Sequence, residues 1–248
     1  MPARIPLLKD SSAFHWRKFV QINLAVAIGL AVGLAPFVAL ASYTPPRLGK
    51  PGRRVGAGVR GVCMESGRPL MPLVPTNAFG TTVEDQPTLF WYVPPTSAQS
   101  AEFTLLDENY KEVYKTTLPL QKVPGIISFQ LPAGTMLELQ KSYRWQFSLV
   151  CDANVPSANP FVEGEIQRVE ISQSLTKSLE RSPLRDRPEI YAKAGIWHDA
   201  LSTLAELRCL RPGDPLLTSR WITLLNSVEL NDFAAEPLAQ YCTQISHR

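Results

Sequence analysis

The chain has 248 residues, 45% of them hydrophobic and 19% charged, enough to bury one large core or two modest ones. Its formal net charge of +3 comes entirely from Arg4, Lys9, Arg17 and Lys18 against Asp10, so everything after Ala41 is neutral. That excludes the phosphate-neutralising surface on which nucleic-acid affinity depends, and no nucleic-acid partner is expected.

Residues 1–41 read as a signal peptide. Arg17 and Lys18 close a basic start, Leu24 to Ala35 carries no charge, and Ala39-Leu40-Ala41 offers a small-x-small cleavage pattern after Pro36. A retained anchor is the alternative, because Phe19 to Ala41 is long enough to span a bilayer. Membrane contact is expected only through this segment. Either way the chain is expected to be exported to the periplasm, the cell surface or the medium.

Residues 42–61 form a basic linker in which three prolines, five glycines and five basic residues show almost no apolar periodicity. Within it, Gly56-Ala57-Gly58-Val59-Arg60-Gly61 matches G-x-G-x-x-G. The dinucleotide site needs a strand before that motif and a helix N-terminus after it, and the sequence offers neither. No cofactor is expected. Arg47, Lys50, Arg53, Arg54 and Arg60 could instead touch an anionic envelope polymer or lipid, although a solvated linker is the simpler reading.

From 62 to 171 the pattern is of short extended runs punctuated by proline and glycine: LMPLVP, TLFWYVPP, AEFTLLDE, KEVYKTTLP, GIISFQLP, SYRWQFSLVCD and FVEGEIQRVEI. Seven such runs predict an antiparallel β-sandwich of fibronectin type III or immunoglobulin-like form. Tyr143, Trp145, Phe147, Leu149 and Cys151 alternate with Arg144, Gln146, Ser148 and Val150, a period of two that buries one face. Tyr143, four residues after Leu139, resembles a tyrosine corner. Phe103 to Leu106 and Val113 to Leu118, joined at Asp107-Glu108-Asn109, predict a hairpin. The run Leu89-Phe90-Trp91-Tyr92-Val93 puts aromatics on both faces of one strand. Either both faces are covered, or Trp91 and Tyr92 offer a stacking surface for a sugar or peptide.

Residues 172–248 have helical grammar. Asp186 can cap a helix with Pro188 in its first turn, and Gly195 ends it. Trp197 to Leu210 then runs at helical spacing to Pro212-Gly213, and Pro215 to Val228 puts Trp221, Leu224, Leu225 and Val228 on one side. Tyr191, Gly195, Ala200, Leu204 and Pro212 are spaced like the second half of one tetratricopeptide unit, so a small tetratricopeptide-like C-terminal segment is expected.

Residues with chemical potential are few. Cys63, Cys151, Cys209 and Cys242 are an even set in a chain expected to reach an oxidising compartment. Pairing Cys63 with Cys151 and Cys209 with Cys242 keeps each bridge within one part; buried free thiols are the alternative. No C-x-x-C spacing supports zinc, and no metal site is expected. His247 is penultimate, while His198 precedes Asp199 at a helix start, which predicts a solvated helix face rather than a catalytic base. Glu84-Asp85 and Asp107-Glu108 read as ordinary surface charge, the latter pair as the hairpin turn. Glu163 and Glu165 share one face of a strand, a spacing that glycosidase or cation chemistry can use but that outward charge explains equally.

Taken together, R-R-x-G-A-G-x-R-G-x-C (Arg53 to Cys63), LVPTNAFGTT (Leu73 to Thr82), PTLFWYVP (Pro87 to Pro94), YRWQFSLVCD (Tyr143 to Asp152) and GIWHDAL (Gly195 to Leu201) resemble a family of exported cyanobacterial proteins defined as domain of unknown function 928. The resemblance runs from about residue 50 to 245. It implies one recurring unit, sandwich plus helical tail, and brings no activity, substrate or catalytic residue.

The expected function is therefore a non-catalytic envelope or secreted interaction protein, with a protein partner engaged by the helical tail around Trp197 and His198. A carbohydrate-binding or carbohydrate-degrading module, resting on Trp91, Tyr92, Glu163 and Glu165 and taking an envelope glycan, is the alternative.

Overall fold

The computed structural model describes residues 42–46, 54, 63–64, 67–121, 123–238 and 241–243. The leader, the G-x-G-x-x-G segment and His247 lie outside the described residues.

Eight strands follow in order: β1 (Met71–Pro72), β2 (Phe79–Thr82), β3 (Thr88–Val93), β4 (Ser100–Leu106), β5 (Glu112–Pro119), β6 (Gly125–Gln130), β7 (Ser142–Leu149) and β8 (Phe161–Arg168). Among the described residues four named α-helices follow: α1 (Gln173–Arg181), α2 (Arg187–Lys193), α3 (Trp197–Leu210) and α4 (Pro215–Asn226). The class is β + α. One sheet has the order β1-β3-β6, the other β2-β8-β7-β4-β5.

Alternation builds the first core. Tyr143, Trp145, Phe147 and Leu149 of β7 point inward, as do Ala101, Phe103 and Leu105 of β4 and Val162 and Ile166 of β8. They meet Leu89, Trp91 and Val93 from the smaller sheet. Trp91 is the hub, stacked on Phe147 with centroids 4.4 Å apart and edge-on to Trp145 at 5.8 Å. Trp145 can lie flat across β8 because its register partner is Gly164, where a Cβ would stand 2.4 Å from the indole. The Asp107 turn forms as expected: its carboxylate accepts from the amides of Asn109 (2.8 Å) and Lys111 (2.9 Å), joining β4 to β5. The Tyr143 hydroxyl accepts from the Glu138 amide at 3.2 Å, tying the strand to the loop before it.

The same alternation in β3 builds a second core on the opposite face. Phe90 and Tyr92 point away from Trp91 into the helices, joining Met71, Leu73, Trp197, Leu201, Leu204 and Trp221. The three-stranded sheet is thus the middle of three layers, sheet, sheet and helices, and the described residues from 42 onward belong to one compact unit. The sandwich and the helical segment, drawn in the sequence as separate parts meeting at 171, share this core.

Two expectations change. The larger sheet is mixed, because β2 pairs with β8 in parallel, from Phe79↔Glu165 to Thr82↔Arg168. A parallel pair needs a long connection, and nearly the whole sandwich lies between these strands. Asp186 stands at the N-cap position of α2 but makes no cap. Its carboxylate is held by the Arg220 guanidinium at 2.9 Å instead, and Arg220 also reaches Glu189 at 2.8 Å. Gly195 ends α2 with φ +78°, as expected.

Residues just beyond the expected cleavage point belong to this fold. Tyr43 is buried edge-on against Trp197, and its hydroxyl donates to the Gly195 carbonyl. The Thr44 amide donates to Ala192 at 3.0 Å. Arg54, a linker residue in the sequence reading, donates to the carbonyl of Val74 between β1 and β2 and to those of Val228 and Glu229 just past α4.

Candidate functional site

Trp91, Tyr92, Trp197 and His198, the expected binding surface, are all buried. Trp91 fills the sandwich core, and Tyr92 packs against Phe233 at 5.0 Å under the Arg68 guanidinium. Trp197 donates its indole N–H to the Leu73 carbonyl at 2.8 Å. Both faces of β3 are covered, so it offers no stacking platform. Glu165 is engaged across strands by Arg144 at 3.1 Å, as outward charge on β8.

His198 is the largest departure. It is 1% exposed, and neither ring nitrogen has a hydrogen-bond partner among the described residues. The helix start is not solvated because β2 runs beneath it. Thr81 donates to the Gly195 carbonyl at 2.6 Å, and Gly80 leaves the space the imidazole occupies. Burial pulls the imidazole down to about 3, so it stays neutral at neutral pH and is a poor proton acceptor.

Asp199, the next residue, is 4% exposed. One carboxylate oxygen, Oδ2, accepts from the Val83 amide at 3.3 Å, while Oδ1 is buried without a hydrogen-bond partner of ordinary geometry. Burial pushes this carboxyl up to about 7; hydrogen bonds from Thr82 and Val83 oppose the rise and the nearby Glu84 charge adds to it.

These two residues stand beside a cleft of about 210 Å³ where the second turn of α3 passes the end of β2 and the start of β3. Thr82, Glu84, Gln86, Pro87 and Thr88 form one wall, and His198, Asp199, Ser202, Thr203 and Glu206 of α3 form the other; Gln130 and Tyr241 also contribute. Three carboxyl groups line it, and among the described residues no lysine or arginine does. Helical spacing places Asp199, Ser202, Thr203 and Glu206 on one face of α3. The sequence reading missed this set because the opposite wall comes from a remote turn. The legible signal was a polar stripe, Asp199, Ser202, Thr203 and Glu206, at helical spacing along α3. No group of three or more His, Cys, Asp or Glu residues arranged to hold a metal occurs among the described residues.

The cysteines pair as Cys63–Cys151, with Cα atoms 5.4 Å apart, and Cys209–Cys242, at 5.0 Å. The first ties the entry of the sandwich to the end of β7, the second the end of α3 to the C-terminal segment. Two bridges suggest an oxidising, exported environment. No described helix is long and apolar enough to cross a membrane.

The model of a family described as Domain of Unknown Function (DUF928) matches residues 55–238. The chain belongs to the DUF928 family. The matched span of this DUF928 chain takes in both sheets, all four helices and both walls of the cleft. No curated protein matches it. Among solved structures, CopC from Methylosinus trichosporium OB3b is similar at 16% identity over 38% of this chain and 88% of that one, with a TM-score of 0.26, too low to argue from.

Proposed function

We propose that this DUF928 chain is an exported binding protein that engages its partner through the cleft between α3 and the β2–β3 turn. The observation that carries this reading is Asp199: a nearly buried carboxyl whose Oδ1 has no well-aligned donor, beside a polar cleft. Leaving such a group unsatisfied costs about 1–3 kcal/mol, a cost that sites tolerate where a ligand supplies the missing partner. The layered scaffold supports it too. A rigid framework with two disulfides and aromatic cores on both faces of β3 fixes the two walls relative to each other. The reading is of binding rather than catalysis, because the His198 imidazole is held neutral by burial and Glu165 is paired with Arg144. The fibronectin-like and tetratricopeptide-like likenesses suit a scaffold of this kind, but the binding surface proposed is the cleft rather than a helical groove.

The test is capture from envelope extracts by the oxidised chain and by Thr203→Trp, which fills the cleft from its rim. Loss of the captured species with unchanged thermal stability supports the reading. Equal capture by both would place any interaction elsewhere.

A carbohydrate-binding role is the second reading, now resting on the carboxylates and hydroxyls of the cleft, which suit vicinal sugar hydroxyls, and no longer on Trp91 and Tyr92. An array of envelope glycans decides it: binding abolished by Thr203→Trp favours it, and an empty array removes it.

A further inference from the structure

The charge of the cleft narrows what it can hold. Glu84, Asp199 and Glu206 approach from two separate elements, and His198 adds no positive charge because it is neutral. An anionic guest would meet three carboxyl groups and, among the described residues, no cation. The N-terminal end of α3 favours negative charge, but Asp199 already occupies its first turn. A neutral apolar guest would leave Asp199 Oδ1 without a well-aligned donor, and a neutral hydroxyl would supply one but leave the charge of Glu84 and Glu206 unanswered. A cationic donor satisfies both conditions.

Geometry separates the two common organic cations. Guanidinium is planar and favours two parallel bonds to one carboxylate. Here the acceptors converge from different sides: Asp199 and Ser202 on α3, Glu84 and Thr82 across from them. A compact group with three donors spread about one nitrogen suits that arrangement.

We propose that the cleft binds a primary ammonium group, held between Glu84 and Asp199. This rests on the reading of the cleft as the binding site. The same chemistry is offered by a lysine side chain of a partner protein and by a free aliphatic diamine or polyamine.

NMR titration of the oxidised full chain tests it with three probes: cadaverine, Nα-acetyl-lysine amide, and that amide acetylated at Nε. Saturable shifts of the Thr82, Glu84 and Ser202 amides with either of the first two, and none with the third, are expected. Tighter binding of the lysine amide identifies a protein side chain as the source, and tighter binding of cadaverine a free amine. Glu84→Gln, at an exposed position, and Asp199→Asn, which keeps an acceptor for the Val83 amide, should each weaken binding at least tenfold. Shifts of equal size with the acetylated probe, tighter binding of Nα-acetyl-arginine amide, or no saturable shift with any probe would overturn the proposal. If capture of a partner remains blocked by Thr203→Trp in those cases, the cleft is still the binding site and only the ammonium assignment falls.

Discussion

Gly80 and His198 are fitted to each other: a Cβ built on Gly80 would stand 2.5 Å from the His198 Nε2 atom and 2.9 Å from Cδ2. The ring is sealed by the strand, and the strand can lie so close to α3 only because it has no side chain at that point. Gly80→Ala should therefore destabilise the chain by about 1–3 kcal/mol through overpacking. Denaturant titration measures it. Adding His198→Ala should recover part of the loss, and a double variant whose cost is the sum of the two singles would show that the residues do not interact.

His198 and Asp199 should give the chain an unusual acid response. Asp199 has a folded value of about 7 against an ordinary 3.8, so its ionisation costs stability as pH rises from about 4 to 7. His198 has a folded value of about 3 against 6.5, so its share of stability is intact above 6.5 and lost as pH falls toward 3. Between about 4 and 6.5 the two slopes oppose each other. Asp199→Asn should unmask the histidine, giving stability that climbs by as much as about 1.4 kcal/mol per pH unit up to 6.5. His198→Leu should do the reverse, with stability falling from pH 4 to 7. Parallel unfolding curves for both variants and the parent across this range would contradict the burial of the pair.

The disulfides should differ in weight. Cys63–Cys151 spans 88 residues and Cys209–Cys242 spans 33, and a longer loop gives the larger restriction of the unfolded chain. Replacing the first pair with alanine should cost about 4 kcal/mol and the second somewhat less, each read by thermal unfolding.

Arg220 ties α4 to α2. Its side chain is 7% exposed, with Asp186 at 35% and Glu189 at 17%. Arg220→Ala strands two carboxylates in a partly dry site and should cost about 2–3 kcal/mol, below the range for fully buried pairs because both acids keep some solvent. Arg220→Met, with Asp186→Leu and Glu189→Leu, should restore most of it, as measured by the midpoint of urea unfolding.

The parts of this fold that were legible in the sequence are those written in local period. β7 shows its inward face as Tyr143, Trp145, Phe147 and Leu149, and the Asp107 turn announces its hairpin through backbone-binding chemistry. β3 was legible only as a choice, since aromatics on both faces fit either a covered sheet or an exposed platform. The helical layer decides it, and nothing within residues 88–93 encodes that layer. β2 was missed because Phe79-Gly80-Thr81-Thr82 is buried throughout and has no alternation to reveal it. Missing β2 hid the reason His198 is buried, and with it the cleft, whose walls are brought together by the parallel pairing of β2 with β8 and the packing of α3 upon it.

Site-specific photo-crosslinking with a leucine-sized diazirine side chain, too small to fill the cleft, placed at Thr203 on its rim or at Lys115 on the outer strand β5, decides whether a partner enters there. A discrete adduct from Thr203 that disappears with Glu84→Gln, and none from Lys115, is expected. An adduct from Lys115 with none from Thr203 would contradict it.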